Sequence, residues 1–137
     1  MFVSDPNKNR ELVIRFYNAL PQQDYATLEA LARPDYIQHN PMFETGIQGL
    51  INGLKQRPQR KPGDPPVPPL EFIRTIAEGD FVWTLRRMPL PPGSPPGAEK
   101  ANVDIFRVQD GKVAEHWDYM ETFPRDGMQP KHKNGYF

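Results

Sequence analysis

Three ionisable side chains near the end of the chain have the types and the spacing that proton-transfer chemistry needs. Asp104, His116 and Asp118 lie on two segments of alternating apolar and polar residues, joined by a short turn at positions 110–111. A carboxylate in the wall of an apolar cavity loses hydration, so its pKa rises and it exchanges protons near neutral pH. A second carboxylate beside an imidazole can hold a different protonation state and act as a donor. Such a set can remove a proton next to a carbonyl group and stabilise the enolate.

The turn decides whether these three side chains meet. With a two-residue turn at positions 110–111, Asp104 lies opposite Trp117, away from the other two ionisable side chains. With a three-residue loop that ends in a bulge at Gly111, Asp104 lies opposite His116 and all three share a face. We favour this loop, because it gathers costly polar groups where they can satisfy one another. The shared face then adds Phe106, Val108, Ala114 and Met120, and the opposite face carries Val103, Ile105, Val113, Trp117 and Tyr119.

Helices precede strands in the pattern of apolar residues. Helical spacing predicts one helix that Asp5 caps and that runs from Pro6 through Leu20, a second from Asp24 to Pro34, and a third from about Gly46 to Lys55. Residues 36–40 form a short extended piece between the last two. The period then changes to two over residues 70–78, 81–88, 100–108 and 112–120. This order predicts an α+β fold, with helices over one face of a curved antiparallel sheet that encloses a pocket.

Composition limits the classes of function. The 137 residues, 37% of them apolar, predict a single domain over positions 1–137 with a substantial core. Basic and acidic residues both number 17, so no net field attracts nucleic acid or an anionic membrane. The absence of cysteine excludes disulfides and thiolate chemistry and fits a reducing compartment. Without a signal-like or membrane-spanning run, we expect a cytoplasmic protein that binds neither nucleic acid nor membrane.

Proline is the unusual residue, with 17 of 137 positions, against a usual share of about 5%. Two clusters, at residues 58–69 and 89–96, are bounded by strand-like sequence and predict ordered loops. They could form extended left-handed helices for a protein partner. We favour stiff lips at the open end of the pocket, since proline lowers the entropy lost on ordering a loop. The tail, residues 123–137, has no regular pattern.

Three features of the chain occur together: the order of its elements, the motif Y-I-Q-H-N-P at 36–41 followed by Gly46 and Gly49, and the motif D-I-F-R-V-Q-D-G-K-V-A-E-H-W-D at 104–118. This combination gives the chain a resemblance to the SnoaL-like polyketide cyclases of the NTF2-like superfamily. The resemblance implies a cone-shaped fold around a deep apolar cavity and a homodimer packed through the outer face of the sheet. It also implies cofactor-free acid/base catalysis on a small apolar carbonyl compound, by cyclisation or isomerisation.

The same resemblance suggests roles for individual residues. The catalytic aspartate of the cyclases matches Asp118, whereas a histidine stands where this chain has Asp104. In the related ketosteroid isomerases an aspartate at the Asp104 position stays protonated beside a tyrosine near Tyr17, and the base falls near His39. We therefore expect Asp118 to act as base or acid, with Asp104 and His116 as its proton partners. The expected substrate-binding residues are His39, Asn40, Tyr17, Trp83, Phe106 and Met120.

Several alternatives remain open from the residues alone. Asp104 and Asp118 could be structural carboxylates, paired with His116 and with Arg86 or Arg107. His116 and Asp118 also supply two of the three ligands of an iron facial triad, although we expect no metal. Arg86 and the two aspartates faintly resemble the water-activating set of limonene epoxide hydrolases. Two alternative functions remain. The chain could be a non-catalytic module that binds a small ligand, or an interaction domain that uses its proline loops.

Overall fold

The computed structural model of the chain, described for residues 3–137, has the predicted α+β fold, and three helices cover one face of a curved, unclosed sheet. The helices are α1 (Pro6–Gln22), α2 (Tyr25–Leu31) and α3 (Ile47–Lys55). The strands are β1 (Ala32–Gln38), β2 (Phe72–Glu78), β3 (Phe81–Met88), β4 (Glu99–Gln109) and β5 (Lys112–Phe123). In the same residues, none of the helices is long and apolar enough to cross a membrane.

The sheet is mixed rather than wholly antiparallel. Its strand order is β1-β5-β4-β3-β2, and β1 pairs with β5 in parallel, whereas the other neighbours are antiparallel. The predicted extended piece at 36–40 is thus the end of a longer strand, which begins directly after α2 at Ala32. Pro34 lies inside that strand instead of ending α2. A proline is tolerated there because β1 is an edge strand, where one N–H group is not needed for pairing.

Helix α1 is fixed at its start by local chemistry and along its length by packing. The Asp5 carboxylate accepts hydrogen bonds from the backbone N–H groups of Asn7 and Lys8, and Pro6 occupies the first turn, as predicted. The apolar side of the helix faces the sheet, where Val13 and Phe16 are 0% and 1% exposed. The buried side chains form one cluster between helices and sheet. This packing places α1 across the inner face of the sheet, next to β2 and β3, and its Phe16 and Tyr17 side chains reach Phe106 of β4.

The hairpin of β4 and β5 corrects the predicted register. Asp110 and Gly111 have φ angles of 52° and 69°, so they form a two-residue turn in which both residues have positive φ, and Gln109 pairs with Lys112. The predicted three-residue loop is therefore wrong. The extra residue lies instead in β5, where the register shifts opposite Arg107 and Val108 and leaves Ala114 without a partner.

This bulge produces the shared face that the sequence predicted. Beyond it, Phe106 pairs with His116 and Asp104 pairs with Asp118, so these side chains project to the inner side. Val113 departs from its predicted outward position, because the bulge directs two successive residues inward and Val113 is 0% exposed. The bulge thus positions the three ionisable groups.

Candidate active site

A cavity of about 330 Å³ lies between α1, α3 and the inner face of the sheet. Its volume is near the lower end of the range for small-molecule sites, about 300–1,000 Å³. The floor and sides are mainly apolar, from residues such as Phe16, Leu50, Leu54 and Phe106. The polar lining groups are Tyr17, Tyr36, Gln38, Asn40, Arg57, Arg86, Asn102, Asp104, His116 and Asp118. A mainly apolar floor combined with convergent polar groups is typical of a site that binds and orients a small molecule.

Asp104 is the centre of the polar network. It is only 1% exposed, and its Oδ2 accepts hydrogen bonds from the hydroxyl of Tyr17 at 2.7 Å and from Nδ2 of Asn102 at 2.5 Å. Its Oδ1 lies 2.8 Å from Nε2 of His116. Both carboxylate oxygens are therefore occupied by protein groups, which compensate for the lost hydration of this buried group.

His116 has no free lone pair in this arrangement. Oε1 of Gln38 accepts the backbone N–H of Asn40 at 3.0 Å, which identifies that atom as the amide oxygen. Nδ1 of His116 lies 3.0 Å from the same oxygen and must donate to it. Nε2 shares a second proton with Asp104. The ring also stacks on Phe106, with centroids 4.6 Å apart, so its orientation is determined on its faces and at both nitrogens.

Asp118 differs from Asp104 in its surroundings. It is partly exposed and lines the cavity, and its Oδ2 accepts a hydrogen bond from Nδ2 of Asn40 at 2.7 Å. Its Oδ1 has no hydrogen-bond partner within residues 3–137. Asp118 thus combines a fixed orientation with one oxygen that is open to a bound molecule.

Two buried tyrosines stay protonated in the cavity wall. Burial, followed by the negative charge of Asp104, raises the pKa of Tyr17 far above its usual value, although the nearby Arg86 guanidinium opposes this rise. Burial is also the main cause that raises the pKa of Tyr36, whose hydroxyl accepts a hydrogen bond from Gln38 at 3.1 Å. Tyr17 is therefore an O–H donor at any working pH.

The cavity contains seven of the nine residues predicted for the site. Asp104, His116 and Asp118 meet there, together with Asn40, Tyr17, Phe106 and Met120. His39 and Trp83 do not line it, which corrects their predicted placement. His39 follows an inward-facing residue of an extended segment, so its ring turns outward, contacts Glu115 at 2.8 Å and stacks on Trp117. Trp83 is 50% exposed on the outer face, because its neighbours Val82 and Thr84 are the buried residues of β3.

Four polar residues that strands β1, β3 and β4 contribute to the site were not predicted as binding or catalytic residues. Asn102 lies two positions before Asp104 on β4, and Arg86 pairs with Asn102 across the sheet. Gln38 lies two positions before Asn40, and Tyr36 a further two before Gln38. The alternation of a strand could have found each one, because every second residue faces the same side.

The three central groups could also hold a metal ion. Asp104, His116 and Asp118 each offer one ligand atom, and these atoms lie within 4.8 Å of one another. Two carboxylates and an imidazole are ligands that suit several divalent cations. Binding would need the proton between Asp104 and His116 to be released.

Solved structures with the same architecture identify the fold of the chain. A Kribbella flavida DSM 17836 protein, provisionally assigned as a ketosteroid isomerase, superposes with a TM-score of 0.67 at 18% identity, over 96% of this chain and 88% of that one. An LEH-like epoxide hydrolase from M. tuberculosis superposes with a TM-score of 0.62 at 22% identity, over 85% of this chain and 84% of that one. An NTF2-like protein of unknown function from Cytophaga hutchinsonii ATCC 33406 superposes with a TM-score of 0.60 at 15% identity, over 82% of this chain and 89% of that one. The fold is that of the NTF2-like proteins.

Within this class, the sequence identifies the family. The profile of the SnoaL-like domain matches residues 13–116, which include β1, the helices around the cavity and the hairpin up to His116. The chain belongs to the SnoaL-like domain family. No protein of curated function matches the chain by sequence.

Proposed function

We propose that the chain is an enzyme that catalyses a proton-transfer rearrangement, a cyclisation or an isomerisation, of a small and mostly apolar carbonyl compound. Membership of the SnoaL-like family and the NTF2-like fold support a cofactor-free role of this general type. The observation that carries the proposal is the unequal state of the two cavity carboxylates. Asp104 is saturated by hydrogen bonds, whereas Asp118 keeps one oxygen open to the cavity.

Asp118 is the general base in this proposal. Its Oδ1 takes a proton from the carbon next to the substrate carbonyl, and the electrons of that C–H bond move to the carbonyl oxygen as an enolate. Asn40 holds the carboxylate in place through its hydrogen bond to Oδ2. In a cyclisation the enolate carbon then attacks a second carbonyl group, and the alkoxide that forms takes the proton back from Asp118. In an isomerisation Asp118 returns the proton to a different carbon.

A base on β1, where the resemblance to ketosteroid isomerases suggested one, does not fit this cavity. His39 points to the outer side of the sheet, and the inward-facing neighbours Gln38 and Asn40 are amides. An amide side chain does not accept a proton near neutral pH. The proton acceptor therefore has to come from β5, which supports Asp118.

A deuterium-exchange assay tests the proposal without knowledge of the natural substrate. The protein is incubated in D₂O with a panel of cyclic ketones and enones, and mass spectrometry measures deuterium uptake at the carbon next to the carbonyl. Asp118→Asn should slow the exchange by about 10²- to 10⁴-fold, the usual contribution of a general base. Asp126→Asn, a matched change at an exposed position, should leave the rate unchanged. Equal rates in Asp118→Asn and wild type would contradict the proposal.

We also propose that the outer face of the sheet forms a homodimer. Ile76, Trp83 and Tyr119 project from it and are 62%, 50% and 64% exposed, and Ile105 and Trp117 extend the same apolar surface. Apolar patches of this kind commonly mark an interface. Light scattering coupled to size exclusion should find a dimer for the wild type and a monomer for Trp83→Glu. A monomeric wild type would disprove the proposed dimer.

A further inference from the structure

Arg86 on β3 is a buried cation that lacks an anionic partner. The residue is 7% exposed and its side chain lines the cavity. In the described chain, no carboxylate oxygen lies within 4.0 Å of its guanidinium nitrogens. Its Nε is buried and has no hydrogen-bond partner. Buried charges are normally paired, because an unpaired one loses its hydration without compensation.

The aromatic neighbours of Arg86 orient it but supply no negative charge, although a contact with the hydroxyl of Tyr17 opposes the rise in the pKa of that tyrosine. The guanidinium carbon lies 4.7 Å from the ring centre of Tyr17 and 5.9 Å from that of Phe72. Such cation–π contacts cover the flat faces of the group, whereas its N–H donors project from the edge. Asp104, on the neighbouring strand, is already bound by Tyr17, Asn102 and His116. The fixed guanidinium edge is therefore available to a bound molecule.

We propose that Arg86 binds a carboxylate group of the substrate, so that the substrate is an apolar carbonyl acid. The guanidinium fork matches a carboxylate through two parallel hydrogen bonds, which makes arginine suited to this task. The inference rests on the proposed function for the carbonyl part of the molecule and adds an anionic group to it.

The sheet register sets the spacing between the two ends of this substrate. Arg86 pairs with Asn102, and Asp104 pairs with Asp118, so β4 separates the arginine from the base. Two strand spacings correspond to about 10 Å, and the two positions lie a further two residues apart along the strands, about 7 Å. The carboxylate should therefore lie at the opposite end of the substrate from the carbon that loses its proton.

Calorimetric binding of a matched ligand pair tests the anchor without turnover. A naphthylalkanoic acid and its primary amide have nearly the same shape and differ in charge. The wild type should bind the acid about 10- to 100-fold more tightly than the amide, as expected for a charge-assisted hydrogen bond. Arg86→Gln should abolish this preference, and Arg74→Gln, which removes an exposed cation that does not line the cavity, should retain it. Arg86→Lys keeps the charge without the fork and should show a reduced preference, which provides a second test if Arg86→Gln does not fold.

The outcomes separate this inference from the proposed function. Equal binding of acid and amide by the wild type, or an unchanged preference in Arg86→Gln or Arg86→Lys, would overturn the anchor. Asp118→Asn should retain the preference, because the base does not contact the carboxylate. If the wild type shows normal deuterium exchange but does not prefer the acid to the amide, only the role of Arg86 is refuted. If the wild type prefers the acid but exchanges no deuterium, the role of Asp118 as base is refuted and the role of Arg86 as carboxylate anchor stays supported.

Discussion

Replacing Tyr17 by Phe tests the energetics of the buried network. The change removes one hydroxyl that donates to Asp104 at 2.7 Å and accepts from Asn102 at 3.0 Å, and it keeps the ring over which Arg86 lies. A hydrogen bond to a charged group contributes about 1.5–3 kcal/mol. Asp104 keeps its other two donors, so we expect a loss of about 2 kcal/mol in the free energy of unfolding.

Two other tyrosines provide graded controls. The hydroxyl of Tyr36 accepts one neutral hydrogen bond, from Gln38, so Tyr36→Phe should cost about 1 kcal/mol. Tyr119 is 64% exposed on the outer face, and Tyr119→Phe should stay within about 0.5 kcal/mol of the wild type.

Urea unfolding, followed by tryptophan fluorescence at neutral pH, measures the three variants against the wild type. Midpoints should shift without a change in slope, because the exposed area on unfolding is the same. The reasoning is refuted if Tyr17→Phe is as stable as Tyr119→Phe, because the hydroxyl would then contribute nothing to the burial of Asp104.

Three further outcomes follow from the same structure. Because the folded state raises the pKa of Tyr17, unfolding releases a proton above the unfolded pKa of about 10. Between pH 9 and 11, wild-type stability should therefore fall by about 1.4 kcal/mol in total more than that of Tyr17→Phe, as measured by urea titrations across this range. Gly49→Ala should lower the midpoint of thermal unfolding, because a Cβ there would lie 2.6 Å from the carbonyl oxygen of Glu44. This overpacking should cost about 1–3 kcal/mol in the free energy of unfolding. A higher midpoint would contradict this contact. Gln38→Leu should leave Nδ1–H of His116 without an acceptor, at a cost of about 1–3 kcal/mol in the free energy of unfolding. Nitrogen NMR of the imidazole should then no longer detect the fixed Nδ1 proton that we expect in the wild type. An unchanged spectrum would exclude Gln38 as the positioning residue.

The sequence predicted the shared face of the hairpin but not its cause. One extra residue between Asp104 and His116 is enough to bring both to the same side, wherever it is inserted. The Asp110-Gly111 pair suits a two-residue turn, so the insertion had to occur within a strand. Its location at Ala114 follows from core packing, where both Val113 and Ala114 are buried. Tertiary contacts of this kind are not visible in a local pattern.

The first strand was the other limit of the sequence prediction. Residues 32–38 pair in parallel with β5, and such a pairing leaves no turn signal between the two segments because they are distant in the chain. Alternation along the predicted extended piece puts Gln38 and Asn40 on one side and His39 on the other, but only the pairing with β5 shows which side faces the cavity. The helix pattern was more informative, since Asp5, Pro6 and the apolar stripe of α1 form a local signal that packing did not override.

Chemical rescue tests most directly whether a carboxylate at position 118 is the proton acceptor. Asp118→Gly leaves space at the open side of the cavity, and added formate can occupy it as a free carboxylate. We expect deuterium exchange to be nearly absent in this variant and to rise in proportion to formate concentration, with no rise in Asp118→Asn, where the amide fills the space. Wild-type exchange by Asp118→Gly without formate would contradict the account, as would a rate that formate does not change.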